Sequence, residues 1–246
     1  MSKELVNEVK KKKEFSQIPN SIVEKILETE KDVKSARAAL RKYFGVFLTN
    51  KVLKGKTAEV LESHISSKLR NYNEFYSRIF AGKKFNSVID LGSGANGFSY
   101  NFLKDELGEI EYLGVEASGQ IVENTNEYFK KQKISKARVE CLDLFDKKAV
   151  FDLINLMEEP KAILMLQVVD ALESLERNFS KEFLIKMQEN LTSEDLIVIS
   201  MPLNSISGRK KFEARRSWIS TFLEENFVIK DDFNLGNERI FLIRKK

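Results

Sequence analysis

The chain has 246 residues, of which 42% are hydrophobic and 32% are charged, and its formal net charge is +4, an ordinary composition for a soluble protein. Its single cysteine, Cys141, excludes an internal disulfide, and its single histidine, His64, argues against zinc clusters and histidine-dependent nucleophiles. No apolar run approaches the roughly 18 residues of a membrane span, and residues 1–15 lack the apolar stretch of a signal peptide, so we expect a cytoplasmic protein.

The positive charge is concentrated at the start of the chain. Residues 1–83 contain 18 Lys and Arg against 10 Asp and Glu, a net charge of +8, and the remainder carries −4. This asymmetry favours a surface that binds a polyanion, and we interpret it as a nucleic-acid-binding region. The lysine run considered alone is explained slightly better by a solvated helix face. We still include its members as candidate RNA contacts: Lys10, Lys11, Lys12 and Lys13.

The first 80 residues show helical spacing of their apolar side chains and contain one proline and two glycines. We therefore predict an all-α, basic, RNA-binding domain over residues 1–82 and a second domain over residues 83–246. Two apolar stripes lie at 22–27 and 40–48. A third, with a possible interruption around 71–73, consists of Leu61, Ile65, Leu69, Phe75, Ile79 and Phe80.

Short apolar strands alternate with helical segments in the second part of the chain. This alternation predicts an α/β fold with a doubly wound, parallel, Rossmann-like sheet of seven strands. The last two strands are too close for a crossover helix, so we expect them to form a C-terminal antiparallel hairpin. The predicted strands span residues 87–91, 111–115, 137–142, 162–167, 196–201, 227–233 and 239–244.

A glycine-rich loop follows the first predicted strand, with Gly92, Gly94 and Gly97 in the spacing G-x-G-x-x-G. Glycines at such a turn let the backbone approach a ligand closely, and this suits a dinucleotide as well as S-adenosylmethionine. On this pattern alone the two cofactors remain alternatives.

Acidic residues at the ends of successive strands distinguish the two cofactors. Asp90, Glu116 and Asp143 lie at the ends of the first three predicted strands. A carboxylate beside a pyrophosphate is unfavourable, whereas S-adenosylmethionine carries an ammonium and a sulfonium and has no phosphate. We therefore favour S-adenosylmethionine, with Glu116 at the ribose diol and Asp143 near the adenine amino group. This strand order with a terminal hairpin resembles the class I methyltransferase fold.

Two reaction classes lose support from the sequence. Residues 165–172, after the fourth strand, lack the Asn/Asp-Pro-Pro-aromatic segment used in methylation of exocyclic amines. There is no Pro-Cys nucleophile, and we interpret Cys141 as a small core residue. Guanine N7, by contrast, carries its own lone pair at neutral pH, so its methylation needs orientation and proximity and no general base.

Five longer stretches carry a resemblance to a known family. They are HISSKLRNYNEFYSRIF (64–80), VIDLGSGANGF (88–98), YLGVEASGQIV (112–122), MLQVVDALESLER (165–177) and VISMPLNSISGRKKFEARRSW (198–218). In this order they resemble the aminoglycoside-resistance 16S rRNA guanine-N7 methyltransferases over most of residues 32–246. The most specific part is ISGR after a strand that ends in Met-Pro.

The resemblance implies an enzyme that methylates guanine N7 in the decoding-site helix of 16S rRNA in the assembled small subunit, giving aminoglycoside resistance. It implies a monomer that uses S-adenosylmethionine and requires neither metal nor membrane. A site role for His64 is about as plausible as a packing role. The cofactor-binding residues that we expect are His64, Lys68, Asp90, Gly92, Gly94, Glu116, Ala117, Asp143, Leu144 and Gln167.

A cluster of cations follows the fifth strand, in SISGRKKFEARRSW (205–218). A loop at this end of a parallel strand opens beside the ligand crevice, where cations would bind rRNA phosphates. We predict that Arg209 positions a flipped guanine. The expected RNA contacts are Arg209, Lys210, Lys211, Arg215 and Arg216. Two alternatives stay open: a methyltransferase for another rRNA or tRNA nucleotide, and a non-catalytic nucleic-acid-binding protein with a vestigial cofactor loop.

Overall fold

A computed structural model describes residues 3–45, 49–64, 67–204 and 217–246. Its first part is helical. Asp32 starts the third helix by accepting hydrogen bonds from the backbone N–H groups of Lys34 and Ser35, at 2.9 and 3.0 Å, so that two donors at the helix start are satisfied. The helices are α1 (Lys3–Lys10), α2 (Asn20–Glu30), α3 (Val33–Leu40), α4 (Asn50–Lys54), α5 (Val60–Ser63) and α6 (Tyr72–Phe80).

The three predicted apolar stripes have different outcomes. The first is confirmed, because Ile22, Val23, Ile26 and Leu27 are all buried on α2. The second divides between α3 and a π-helical turn at Arg41–Gly45, and its residues 46–48 lie outside the described ranges. The third is interrupted, but between α5 and α6, before Tyr72 rather than around 71–73. The backbone turns between α5 and α6, and this places the side chain of Leu69 outside the core, 66% exposed.

The second part of the chain forms the predicted seven-stranded sheet, in the order β3-β2-β1-β4-β5-β7-β6. Strands β1 to β5 are parallel, and β7 runs antiparallel between β5 and β6, which confirms the hairpin. The strands are β1 (Ser87–Leu91), β2 (Glu111–Glu116), β3 (Ala137–Cys141), β4 (Lys161–Leu166), β5 (Leu196–Pro202), β6 (Phe227–Leu235) and β7 (Glu238–Lys245).

Helices cover both faces of the sheet because neighbouring strand residues point to opposite faces. Val88 packs with α1 to α8 in one hydrophobic cluster, and Ile89 packs with α9 to α12 in another. The division of the chain at residue 82 stays a prediction, and the first cluster is continuous across it. The helices of this part are α7 (Tyr100–Leu107), α8 (Gly119–Lys131), α9 (Lys147–Leu156), α10 (Val169–Leu175), α11 (Phe179–Gln188) and α12 (Ser217–Asn226).

The interpretation of Cys141 as a core residue is wrong, because its side chain is exposed. It lies at the end of β3, an edge strand of the sheet, in which only Val139 is buried. A strand with a single neighbour buries fewer of its side chains than a central strand does. Within the described ranges, no helix has the length and apolarity needed to cross a membrane.

Candidate active site

A cavity of about 950 Å³, including its open mouth, lies at the carboxyl ends of β1, β2, β3 and β4. This is where an open parallel sheet binds ligands, because the loops diverge on either side of the point where strand order reverses. The first helices also contribute to its wall, through Ile22 of α2, Phe44, and the segment between α5 and α6. Among the expected cofactor residues, those that line it are His64, Gly92, Gly94, Glu116, Ala117, Asp143, Leu144 and Gln167.

The glycine-rich loop lies against the cavity with little free space around its backbone. Gly92 has a φ of 73°, and a Cβ there would lie 2.6 Å from Cγ2 of Val168. Gly94 has a φ of 49°, and a Cβ there would lie 3.4 Å from Nε2 of His64. Both positions therefore require glycine for conformation, and Gly92 also requires it for space.

Glu116 ends β2 and lines the cavity next to the glycine loop. Its Oε2 accepts a hydrogen bond from the N–H of Gly94 at 2.9 Å, and its Oε1 accepts one from the N–H of Ser118 at 2.7 Å. Burial raises the pKa of Glu116, although these N–H groups favour the ionised form. A carboxylate held in this way still has lone pairs for ligand hydroxyl groups.

Asp143 follows β3 and joins the sheet to α2. Its Oδ1 accepts from the N–H of Phe145 at 2.9 Å, and its Oδ2 accepts from the hydroxyl of Ser21 at 2.6 Å. Ile22, next to Ser21, lines the cavity beside Phe145. The N-terminal helices thus form part of the site, a role that their sequence did not reveal.

Asp90 occupies a different place from the other two acids. It lies beneath the glycine loop and is fully buried, and it is absent from the cavity lining. Its Oδ2 accepts hydrogen bonds from Asn96 Nδ2 at 2.7 Å and from the hydroxyl of Tyr112 at 2.9 Å. Burial raises the pKa of Asp90 to about 6, against the effect of these two donors. Through Asn96, which does line the cavity, Asp90 supports the loop from below.

Arg70 is a cavity residue that the sequence analysis missed. Its Nε and Nη2 donate to the two carboxylate oxygens of Glu238 at 3.0 and 2.8 Å, and its Nη1 donates to Asn96 Oδ1 at 3.3 Å. Lys68, which the resemblance favoured, is exposed and lies outside the cavity wall. The sequence did contain a signal for Arg70, because it is the second cation in HISSKLR, two positions after Lys68.

His64 is buried at the cavity wall, with its Nδ1 3.1 Å from the hydroxyl of Ser67. Burial, with a smaller effect of the Arg70 guanidinium, lowers the pKa of His64 to about 4. The imidazole is therefore neutral at physiological pH. It packs in the cavity wall, where its Nε2 lies beside Gly94, and a role in cofactor binding stays a prediction.

Gln167, directly after β4, has a left-handed backbone with a φ of 58°. Its N–H donates to the carbonyl of Ser200 on β5 at 2.9 Å, which holds the turn in place. Residues with side chains rarely adopt this conformation, and such positions are concentrated at functional sites. The turn presents Gln167 and Val168 to the cavity.

The expected RNA contacts fall into two groups. Lys10 donates to Asn20 Oδ1 at 2.6 Å, whereas Lys11, Lys12 and Lys13 are exposed. The cations from Arg209 to Arg216 lie outside the described residues. The last described residue before them, Asn204, donates to Asn237 Oδ1 at 2.8 Å, in the turn between β6 and β7.

Comparisons with known proteins agree with this architecture. No protein-family model and no curated protein matches the chain. The 16S rRNA methylase RmtB has a TM-score of 0.77 and 19% identity, and the match covers 99% of this chain and 98% of that one. An rRNA methylase from Escherichia coli has a TM-score of 0.78 at 19% identity and covers 99% of both chains.

A third neighbour is the 16S rRNA methyltransferase RmtF in complex with S-adenosyl-L-homocysteine. It has a TM-score of 0.78 at 19% identity, and the match covers 100% of both chains. The chain has the class I methyltransferase fold. RmtB and RmtF are 16S rRNA methylases, which agrees with the resemblance found in the sequence. A more general relative, an S-adenosylmethionine-dependent methyltransferase from Aquifex aeolicus, has a TM-score of only 0.54 and covers 80% of this chain.

Proposed function

We propose that this protein, which has the class I methyltransferase fold, transfers a methyl group from S-adenosylmethionine to N7 of a guanine in the decoding-site helix of 16S rRNA. The observation that carries the proposal is the full-length likeness to 16S rRNA methylases, which includes the N-terminal helices. A more general methyltransferase structure matches only 80% of the chain, with a TM-score of 0.54. The acceptor would be the assembled small ribosomal subunit, with aminoglycoside resistance as the consequence and the cytoplasm as the location.

The residues of the cavity fit the proposed cofactor. We assign Asp143 to the adenine amino group and Glu116 to the ribose hydroxyl groups, because both carboxylates line the cavity at neighbouring strand ends. In the glycine loop, a side chain at Gly92 would clash with Val168, so the backbone stays bare there. We assign Arg70, in place of Lys68, to the carboxylate of the methionine part of S-adenosylmethionine, because Arg70 lines the cavity and a guanidinium binds a carboxylate well.

The proposed reaction requires the protein mainly to position the methyl donor and the guanine base. S-adenosylmethionine supplies an electrophilic methyl group on its sulfonium. Guanine N7 is unprotonated at neutral pH, so no residue has to remove a proton before attack. His64, neutral because of its lowered pKa, adds no positive charge to the cavity in which the sulfonium would bind. The remaining task is to hold the base in line, which we assign to Arg209 and to the turn at Gln167.

Recognition of an assembled subunit suits the distribution of charge in the chain. Residues 1–83 carry a net charge of +8, and they pack onto the same face of the sheet as α7 and α8. Several phosphates could therefore be bound at once, at fixed distances from the cavity. Lys11, Lys12 and Lys13, exposed directly after α1, are candidates for these contacts.

Mapping of methylated nucleotides tests the proposal directly. Small subunits, free 16S rRNA and total tRNA are each incubated with the protein and radiolabelled methyl donor, and modified positions are mapped by mass spectrometry. We expect one N7-methylguanine in the decoding-site helix, formed in subunits only. Modification elsewhere would favour the alternative RNA methyltransferase. No binding of S-adenosylhomocysteine by calorimetry would favour the non-catalytic nucleic-acid-binding protein.

A further inference from the structure

Arg70 and Glu238 form an ion pair with unusual burial. Their side chains are 4% and 8% exposed, and no other ion pair in the described ranges has both partners buried. The two residues are far apart in the chain. Arg70 precedes α6, and Glu238 begins β7 at the carboxyl edge of the sheet, paired with Pro202 of β5. Removing two charges from water is costly unless geometry and hydrogen bonding compensate.

The guanidinium is held on several sides. Besides the two hydrogen bonds to Glu238, its Cζ lies 4.6 Å from the ring centroid of Phe75 and 5.5 Å from that of Tyr72. Glu238 is itself held, because its Oε2 also accepts a hydrogen bond from the hydroxyl of Ser200 at 2.5 Å. Both the plane and the position of the guanidinium are therefore fixed before any ligand arrives.

The hydrogen-bond inventory leaves a defined part of Arg70 for a ligand. A guanidinium has five N–H donors. Three of them are used by Glu238 and Asn96, so at most two can serve the cavity that Arg70 lines. Glu238 binds Nε and Nη2 together. This bidentate pairing determines which edge of the guanidinium faces the cavity.

We infer that Glu238 is a positioning residue, which orients Arg70 so that its remaining donors bind the carboxylate of the cofactor's methionine part. This inference rests on the proposed function, because it assumes S-adenosylmethionine as the ligand. Glu238 does not line the cavity; it contacts the cavity wall through Arg70 and also accepts a hydrogen bond from Ser200. The competing explanation is that the pair merely fastens the N-terminal segment to the sheet.

Two ligands that differ in the amino-acid group, which includes the carboxylate, separate these explanations. S-adenosylhomocysteine carries the amino-acid group, and 5′-methylthioadenosine shares its adenosine and thioether but lacks that group. Affinities of both are measured by calorimetry for the unaltered chain and for Glu238→Gln, which removes the charge and one of the two acceptors. We expect Glu238→Gln to weaken S-adenosylhomocysteine about tenfold or more, as for loss of a hydrogen bond to a charged group, and 5′-methylthioadenosine less than about threefold.

A matched control is available on the same hairpin. Asp232 accepts from Nε and Nη2 of Arg239 at 2.9 and 2.7 Å, a similar forked pair that is partly exposed and outside the cavity wall. Asp232→Asn should leave both affinities unchanged. If Glu238→Gln does not fold, Glu238→Asp, which keeps the charge but shortens the side chain, is judged by the same selective loss of S-adenosylhomocysteine.

The outcomes are distinct. Equal weakening of both ligands would mean that Glu238 only maintains the fold, and unchanged affinities in a folded variant would mean that it has no effect on Arg70. Either result overturns the inference and leaves the proposed function standing. If the unaltered chain binds neither ligand, the cofactor assignment fails, and the inference fails with it.

Discussion

The hydroxyl of Ser21, on an N-terminal helix, donates a 2.6 Å hydrogen bond to the carboxylate of Asp143 at the end of β3, across 122 positions of sequence. Asp143 lines the candidate cofactor cavity, and the residue after Ser21, Ile22, lines it too. The segment that we propose to dock on rRNA is therefore in direct contact with the segment that we propose to bind adenine. Deleting the first 80 residues would open this cavity as well as remove basic residues.

Ser21→Ala should weaken binding of S-adenosylhomocysteine, because the Asp143 carboxylate loses the donor that fixes its orientation. The expected loss is about threefold to tenfold, since an ordinary hydrogen bond contributes on the order of 1 kcal/mol. Calorimetry measures it. Thr29→Ala on the same helix is the control, because the Thr29 hydroxyl bonds only to the carbonyl of Ile26. Equal effects of the two changes would show that Ser21 acts through helix stability alone.

The stability of the protein should depend on pH through His64, its only histidine. The folded pKa is about 4 and the ordinary value is 6.5, so the unfolded chain binds a proton first as the pH falls. The stabilisation is complete above pH 6.5 and is lost as the pH falls through 4, by about 3 kcal/mol. Urea unfolding at several pH values should show that His64→Gln lacks this component.

Asp90 should change the pH dependence of stability in the opposite direction to His64. Its pKa is about 6 in the folded chain, whereas the ordinary value is 3.8. Its contribution to the free energy of unfolding is therefore complete below pH 3.8 and is lost as the pH rises through 6. Asp90→Asn keeps the shape of the side chain and removes the titration. Relative to the unaltered chain, this variant should gain about 3 kcal/mol of stability between those two pH values. A constant difference across that range would contradict the raised pKa.

Gln167 offers a test of backbone strain at the site. At its φ of 58°, any side chain costs roughly 1–2 kcal/mol that glycine does not. Gln167→Gly should therefore be about 1 kcal/mol more stable than Gln167→Ala in urea unfolding, although both lose the same side-chain contacts. At Glu24, an exposed position inside α2, the order should be reversed, because glycine destabilises a helix interior by about 1 kcal/mol relative to alanine.

Arg209→Ala should slow methylation at saturating subunit about tenfold or more, because a guanidinium can stack on a flipped base or fork onto a phosphate. Lys210→Ala should instead weaken subunit binding and reduce its salt dependence, since it removes one phosphate contact. Single-turnover kinetics and binding at several salt concentrations separate the two effects. Neither change should alter the affinity for S-adenosylhomocysteine. A parental rate for Arg209→Ala would mean that Arg209 does not position the base.

The sequence by itself determined the sheet and the general place of the site. Strand β5 begins with the apolar run 196–199, and the short spacing between β6 and β7 leaves no room for a crossover helix. The glycines and acids at strand ends also predicted the place of the site, because the carboxyl ends of parallel strands lie at the same edge of a sheet. Each of these signals is local, so a short window of sequence contains all of it.

Only the tertiary structure decided which of these side chains share the cavity. Asp90 and Glu116 are both acids at strand ends, yet one lies beneath the loop and the other faces the ligand space. Leu69 fits a helical stripe, but the turn between α5 and α6 leaves it exposed and brings the following residue, Arg70, into the cavity wall. The side-chain direction depends on the path of the backbone through that turn, which apolar spacing does not encode.

Contacts between distant segments were equally invisible in the sequence. The partners of Asp143 and Arg70 lie 122 and 168 positions away, so no periodicity or motif could connect them. They meet because the N-terminal helices bury their apolar faces on the sheet and carry their polar residues to its carboxyl edge. Burial of apolar surface is non-directional, and the particular polar pairs follow only once the whole chain has packed.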